Sequence, residues 1–162
     1  MSSNARRITR RYTQNISATP SEIFPLLDPV REREWLEGWD CTMIYSDSGL
    51  GEPGCLFKTQ NPDGSETVWT ITKRDEENAE IEFVMVTPGS RVGRLHIRLE
   101  ESGARSTKTH IAYTFTSLGP AGDSFIEAYT EEAFNGRMEW WEKSMNHFLL
   151  TGSLLRAQRA GH

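Results

Sequence analysis

Cysteine is scarce in this chain, and long apolar runs are missing from it. The 162 residues include two cysteines and no Cys-x-x-Cys pair, which excludes a zinc ribbon and a dithiol redox motif. No apolar run approaches the roughly 18 residues of a membrane-spanning helix, so we predict no membrane insertion. The first residues, "MSSNARRITRR", lack the apolar core of a secretion signal, and we therefore expect a cytoplasmic protein.

Positive charge is also in the minority. The chain has 18 Lys+Arg against 23 Asp+Glu, a net charge of −5. Because phosphate binding needs a basic field, we predict no nucleic-acid partner. The arginine-rich stretch "RRITRR" is interpreted as the edge of a strand that projects its charge into water. With 36% hydrophobic and 25% charged residues, residues 1–162 are expected to form a single globular domain.

Motifs for nucleophilic or metal-dependent catalysis are missing as well. The sequence "GLGEPG", residues 49–54, matches G-x-G-x-x-G, but a strand is predicted after it where a dinucleotide site requires a helix. We interpret it as a hairpin turn and predict no cofactor. With "ESGAR" as a hairpin loop, His96 is predicted to face His110 on a solvated surface, and no cysteine or carboxylate completes a metal site there.

The pattern along the chain predicts one strand, two short helices, six strands and a long helix. The first strand is expected at about 7–17, and the short helices within about 20–37. Strands separated by short Gly, Pro, Asp and Asn turns fill about 41–117 and indicate an antiparallel meander. The long helix is predicted over about 124–156, with Ser124 as its N-cap.

Alternation along the strands assigns side chains to two faces of the sheet. The apolar face is expected to carry Met43, Tyr45, Phe57, Thr59, Trp69, Ile71, Ile81, Phe83, Met85, Leu95, Ile97, Leu99, Ile111, Tyr113 and Phe115. An α+β fold follows, in which a curved seven-stranded antiparallel sheet wraps around the long helix, since no other element is long enough to cover the apolar face.

This order of elements resembles the helix-grip fold of the START-like (SRPBCC) superfamily, which includes lipid-transfer domains, Bet v 1-like proteins and polyketide cyclases. The stretch "FPLLDPVREREWLEGWDCTMIYSDSG" is similar to a bacterial SRPBCC subfamily whose members mostly lack an assigned activity. The resemblance implies an internal ligand cavity. It implies no shared catalytic motif.

Arg137 is a charged residue predicted to lie on the apolar side of the long helix. At 100° per residue, an apolar stripe that begins at Phe125 places Arg137 near its middle. One interpretation is an ion pair with Glu34 or Asp40. The other is an anchor for a ligand carboxylate, enol or phosphate. Gly136, a small neighbour on this helix, is expected to leave space for a cavity.

Trp35 and Trp39 lie in an acidic segment that is poorly amphipathic as a helix. In a helix grip the two short helices lie at one mouth of the cavity. Aromatic rings with a polar tip suit such a rim, so we predict that both tryptophans guard the entrance. The alternative is that they plug the end of the sheet.

The leading functional hypothesis is binding, with transport as an extension, of a small and mostly hydrophobic ligand that carries an acidic or carbonyl group. Arg137 would orient that group. Besides Trp35 and Trp39, the predicted ligand contacts are Tyr45, Phe57, Trp69, Phe83, Met85, Tyr113, Tyr129 and Trp141.

Two alternatives stay open, and whether the protein is an enzyme is not decided. The first is a polyketide-cyclase-like enzyme, in which Arg137 would stabilise an enolate and Tyr113 or Tyr129 would transfer a proton. The second is a chaperone-activator-like interaction module, which predicts a filled core and an exposed apolar patch. A cavity on the order of several hundred cubic ångströms favours a ligand. A homodimer through sheet edges or helix faces is left open.

Overall fold

The protein forms one curved antiparallel sheet against a long C-terminal helix, in a computed structural model that describes residues 4–158. The strands are β1 Arg7–Ile16, β2 Thr42–Tyr45, β3 Leu56–Gln60, β4 Glu66–Asp75, β5 Glu80–Thr87, β6 Arg91–Gly103 and β7 Ser106–Ser117. The helices are α1 Pro20–Ile23, α2 Pro120–Ala128 and α3 Glu131–Thr151, with single 3-10 turns at Phe24–Leu27 and Glu32–Glu34. The strand order β1-β7-β6-β5-β4-β3-β2 confirms the predicted α+β helix grip.

Burial alternates along the strands as the sequence predicts. In β7, Ile111, Tyr113 and Phe115 are buried, and the residues between them are half-buried. A side chain on a strand points to the opposite face from its neighbours, so this pattern gives the sheet one apolar face. The core lies between that face and α3.

The edge strand β1 is closed off by polar side chains of α3. The backbone N–H of Asn15 donates to Glu142 at 2.5 Å, and the N–H of Ser17 donates to Asn146 at 2.8 Å. The side-chain amide of Gln14, a buried residue, donates to the carbonyl of Met138 at 2.9 Å. The first two bonds occupy backbone N–H groups that an edge otherwise leaves unpaired, and all three hold α3 against the sheet.

The predicted single helix from Ser124 is two helices, and this corrects the position of Arg137. Helix α2 begins after Gly119, and the chain breaks at Tyr129 before Thr130 caps α3 by accepting a hydrogen bond from the N–H of Ala133 at 3.1 Å. A break shifts the helical phase, so the stripe extrapolated from Phe125 is wrong for the first half of α3, where Arg137 is exposed. The buried residues of α3 are Phe134, Met138, Ser144 and Met145, and the last two belong to the predicted stripe.

Tyr45 is a second correction. The pairing of β2 with β3 is irregular between Met43 and Tyr45, where a bulge shifts the register. A shift of one residue moves the following side chains to the other face of the sheet. Tyr45 is therefore 58% exposed, and its hydroxyl donates to Asp47 at 2.6 Å.

The predicted pairing of His96 with His110 is also wrong. His96 pairs with Ala112, and His110 pairs with Arg98. The loop between β6 and β7 is shorter than the predicted "ESGAR", because the strands pair as far as Gly103 and Ser106, and an irregularity between Glu101 and Gly103 also changes the register. Among residues 4–158, no helix is both long and apolar enough to cross a membrane.

Candidate functional site

Asp28 fixes the chain before the two tryptophans of the opening segment. Its buried carboxylate accepts hydrogen bonds from the N–H of Val30 and the N–H of Gly51, both at 2.9 Å. Arg74 of β4 forms an ion pair with it at 3.1 Å and also donates to the carbonyl of Gly51. The turn "GLGEPG" is thus a docking point for the segment around Asp28.

Gly51 is required at this contact because there is no room for a side chain. A Cβ added there would lie 2.7 Å from Pro29 and 3.0 Å from Ile71. The glycine pattern that resembles a dinucleotide motif therefore serves close packing between this turn and the opening segment.

The two tryptophans are held in place by backbone carbonyls of the same segment. The indole N–H of Trp35 donates to Leu26 at 2.7 Å, and that of Trp39 donates to Pro29 at 2.9 Å. Trp35 is 2% exposed, while Trp39 is half-buried. Trp35 therefore belongs to the core, whereas Trp39 lies at the edge of the core and reaches the surface.

A partly open cavity lies where this segment meets the sheet and α3. It holds about 30 Å³ of free space, enough for about two water molecules. Its wall consists of Leu27, Pro29, Glu32, Trp35, Trp39, Phe57, Trp69, Phe83, Leu95, Ile97, Tyr113 and Trp141. The cavity is therefore largely filled by aromatic rings.

An open groove of about 460 Å³ lies outside this cavity, between residues 36–39 and the first half of α3. Gly136, Arg137 and Trp140 line it, and Trp39 and Trp141 belong to both spaces. A Cβ on Gly136 would meet no atom within 4 Å, in agreement with the expectation that this glycine leaves space.

Glu32 is the acidic residue of the cavity wall. It is 8% exposed, and within residues 4–158 its carboxyl group has no hydrogen-bond or ion-pair partner. Burial raises the pKa of Glu32 from 4.5 to about 8, because a charged carboxylate is poorly solvated there. A buried, shifted and unpartnered carboxyl group in a cavity is typical of a functional site.

Sequence reasoning missed Glu32, although a signal for it exists. Trp35 and Leu36 follow Glu32 by three and four residues, and both are buried. Residues at that spacing share one face of a helical turn, so Glu32 had to point the same way.

Tyr113 brings a hydroxyl group to the same cavity from β7. Burial holds the pKa of Tyr113 well above 10.0, and the charge of Glu32 acts in the same direction, while Arg137 acts against it. The phenol is therefore a neutral hydrogen-bond donor at all ordinary pH values.

The predicted ligand contacts are distributed over several places. The cavity brings together seven of them: Trp35, Trp39, Phe57, Trp69, Phe83, Tyr113 and Trp141. Arg137 lies in the groove, and Tyr45 is exposed on the outer face of the sheet. Met85 and Tyr129 are buried outside the cavity wall, where Tyr129 packs on Phe115 with ring centres 5.1 Å apart.

The predicted carboxylate partners of Arg137 are bonded elsewhere. Glu34 pairs with Arg31 at 3.1 Å, and Asp40 lies 3.9 Å from Arg33. Of the two histidines considered for a metal, His96 bonds Glu80 at 2.6 Å. The part of the chain that the structure describes contains no group of three or more His, Cys, Asp or Glu side chains arranged to hold a metal ion.

The fold and the cavity define the class: this is a START-like helix-grip domain of the Bet v 1-like type. The sequence model of the family described as "Polyketide cyclase / dehydrase and lipid transport" matches residues 7–140, and the chain belongs to this family. No curated protein matches the sequence.

Solved structures match the fold at low sequence identity. A point mutant of norcoclaurine synthase from Thalictrum flavum, in complex with a transition-state analogue, is 13% identical, with a TM-score of 0.70 over 93% of this chain and 99% of that one. Ara h 8.0201 is 14% identical, with a TM-score of 0.62 over 90% of this chain and 99% of that one. An uncharacterised protein from Rhizobium leguminosarum is 13% identical, with a TM-score of 0.60 over 90% and 96%.

Proposed function

We propose that this protein binds a small, mostly apolar ligand in the cavity between its sheet and α3. The observation that carries the proposal is the cavity itself: a partly open, aromatic-lined space with one unpartnered carboxyl group, Glu32, in its wall. Apolar walls with few polar groups are typical of small-molecule sites. Membership of a family that includes lipid transport supports the same function.

The proposed route into the cavity passes between Trp39 and Trp141. These residues lie between the cavity, with about 30 Å³ of free space, and the open groove, with about 460 Å³. A ligand larger than two water molecules requires their side chains to rotate, which joins the two spaces. Both rings are half-buried, so their rotation exposes less apolar surface than that of Trp35 would.

The acidic or carbonyl group expected on the ligand is proposed to lie in the groove, beside Arg137. Arg137 is exposed there and faces no carboxylate within 4.0 Å among residues 4–158. An anion inside the cavity would instead meet the carboxyl group of Glu32. The acidic end of the ligand would therefore remain at the mouth, and its other end would enter the cavity.

Native mass spectrometry of the freshly purified protein tests this proposal, beside the variant Arg137→Leu and its control Arg98→Leu. Arg98 is exposed on β6, away from the groove. An adduct on the wild type and on Arg98→Leu that Arg137→Leu loses supports the ligand and its anchor. An adduct that all three proteins keep removes Arg137 from the site.

An exposed apolar row supports a second candidate, the interaction module. Tyr45, Leu56, Val68 and Val86 lie on four neighbouring strands, and each is at least 37% exposed. Tyr45 pairs with Leu56, and Val68 pairs with Val86. The small free space in the core agrees with this candidate. Light scattering over a range of concentrations tests its simplest form, a homodimer that Val68→Lys abolishes.

A further inference from the structure

The cavity wall combines many aromatic rings with one acidic residue and no basic residue. Seven of its twelve wall residues are aromatic, four of them tryptophans, and Glu32 is its one acidic member. The rings form two groups: in one, Trp69 stacks on Phe57 at 5.5 Å, and in the other, Trp35 meets Trp141 edge-on at 6.1 Å. The face of an aromatic ring carries negative potential, which attracts cations.

Most hydrogen-bond donors of the tryptophans are already used. The indole N–H groups of Trp35 and Trp39 donate to backbone carbonyls, and that of Trp69 donates to Thr59 at 3.0 Å. These bonds turn the three N–H groups away from the cavity and toward the protein. The wall therefore offers few donors to an anion, while the aromatic rings and the carboxyl group of Glu32 remain for a cation.

We infer that the cavity is selective for a cationic group, a protonated or quaternary amine, which Glu32 pairs with and the surrounding tryptophan rings enclose. The inference rests on the proposed ligand-binding function and specifies the chemistry of the end that enters the cavity. A head group larger than two water molecules exceeds the free space of about 30 Å³ and enters only when Trp39 and Trp141 rotate, while the remainder of the ligand extends past them into the groove.

The charge state of Glu32 makes this selectivity depend on pH. Burial raises the pKa of Glu32 to about 8, so the empty site is mostly neutral at pH 7. A cation beside the carboxyl group favours its ionised form, and Glu32 releases its proton to solvent on binding. For a permanent cation, affinity should fall about tenfold for each pH unit below the pKa of Glu32.

The groups around Glu32 do not titrate in the same range. Tyr113 faces it from β7, and burial holds the pKa of that phenol well above 10.0. The thiol of Cys41 lies near it, and burial raises the pKa of Cys41 above 9.0, although Arg33 acts against this. A transition near pH 8 therefore reports on Glu32.

The test is a pair of ligands with the same shape and different charge. Phenyltrimethylammonium is a cation, and tert-butylbenzene is its uncharged counterpart with carbon in place of nitrogen. Binding of each is followed by tryptophan fluorescence between pH 6.5 and 9, on the wild type and on Glu32→Gln. Glutamine copies the neutral acid, so the variant should fold, and circular dichroism verifies this.

The inference predicts that the cation binds the wild type at least tenfold more tightly at pH 9 than at pH 6.5. The neutral ligand should show no such gain, and Glu32→Gln should remove the gain for the cation. Equal pH profiles for the two ligands, or a cation affinity unchanged in Glu32→Gln, would overturn the inference and leave the cavity as an apolar site. Failure of both ligands to bind would overturn the proposed function as well. The pH profile of the wild type decides the matter even without the variant.

Discussion

Trp39 and Trp141 line both the aromatic cavity and the open groove beside it. Trp39 comes from the acidic segment before β2, and Trp141 comes from the middle of α3. The two residues therefore join distant parts of the chain into one partition. In our account, movement of this partition controls access to the cavity.

Removal of one half of the partition should speed ligand binding. Trp39→Ala deletes a ring that packs edge-on against Trp69 at 5.9 Å and connects the cavity with the groove. We expect the association rate of tert-butylbenzene to rise by about tenfold, because opening no longer limits access. Stopped-flow tryptophan fluorescence measures this rate. Trp140→Ala is the matched control, since Trp140 lines only the groove. Equal rates in both variants would refute the partition.

Glu32 should make the stability of the protein fall as pH rises. Its pKa is about 8 in the folded protein and 4.5 when exposed, so the folded state holds the proton more tightly. The stabilisation is complete below pH 4.5 and is lost as pH rises through 8. Relative to Glu32→Gln, the wild type should lose on the order of 3 kcal/mol of unfolding free energy between pH 5 and pH 8.

Urea unfolding at several pH values measures this difference. Glu34→Gln serves as the control, because Glu34 is partly exposed and paired with Arg31. Its curve should run parallel to that of the wild type. Parallel curves for the wild type and Glu32→Gln would show that Glu32 is solvated, which contradicts its burial.

Asp28 should be the most costly carboxylate to remove from the site. Asp28→Ala leaves Arg74 without its buried partner and removes the acceptor of the Val30 and Gly51 N–H groups. We expect a loss of about 3 kcal/mol of unfolding free energy. Glu76 is the other partner of Arg74, and its side chain is 74% exposed and 3.4 Å away. Glu76→Ala should therefore lower the unfolding free energy by less than about 0.5 kcal/mol. Similar costs in urea unfolding would contradict the docking role of Asp28.

The start of α3 can be tested by comparing two candidate caps. Thr130→Ala removes the acceptor of the Ala133 N–H and should cost about 1 kcal/mol in thermal or urea unfolding. Ser124→Ala should have almost no effect, because Ser124 lies inside α2 and caps no helix. The opposite ranking would restore the single long helix that the sequence suggested.

The sheet was predictable because its signal is local and repeated. Alternation along β4 to β7 and the short turns between them give both the strands and the buried face. The same alternation identified Phe57, Trp69, Phe83 and Tyr113, which meet at the cavity. Tyr45 was misplaced because a single extra residue in a bulge reverses the faces, and the sequence carries no glycine or proline at that point.

The site was less predictable because it depends on helix breaks and on contacts between distant segments. No glycine or proline marks the break between Ala128 and Glu131, so the helical phase ran on and placed Arg137 on the buried side. Glu32 was passed over because a charged residue is rarely buried alone. Its spacing to Trp35 and Leu36 places it on their face of the turn, but the burial of that face depends on contacts with distant segments.

The central claim, that the cavity binds an apolar ligand, is tested most directly by filling it. Leu95 lies in the cavity wall, so Leu95→Phe occupies the free space, whereas Leu150→Phe adds the same ring at a position that is 86% exposed. Titration with tert-butylbenzene at pH 7, followed by tryptophan fluorescence, should give saturable binding to the wild type and to Leu150→Phe, and at least tenfold weaker binding to Leu95→Phe. Equal binding to all three proteins, or none, would contradict the account.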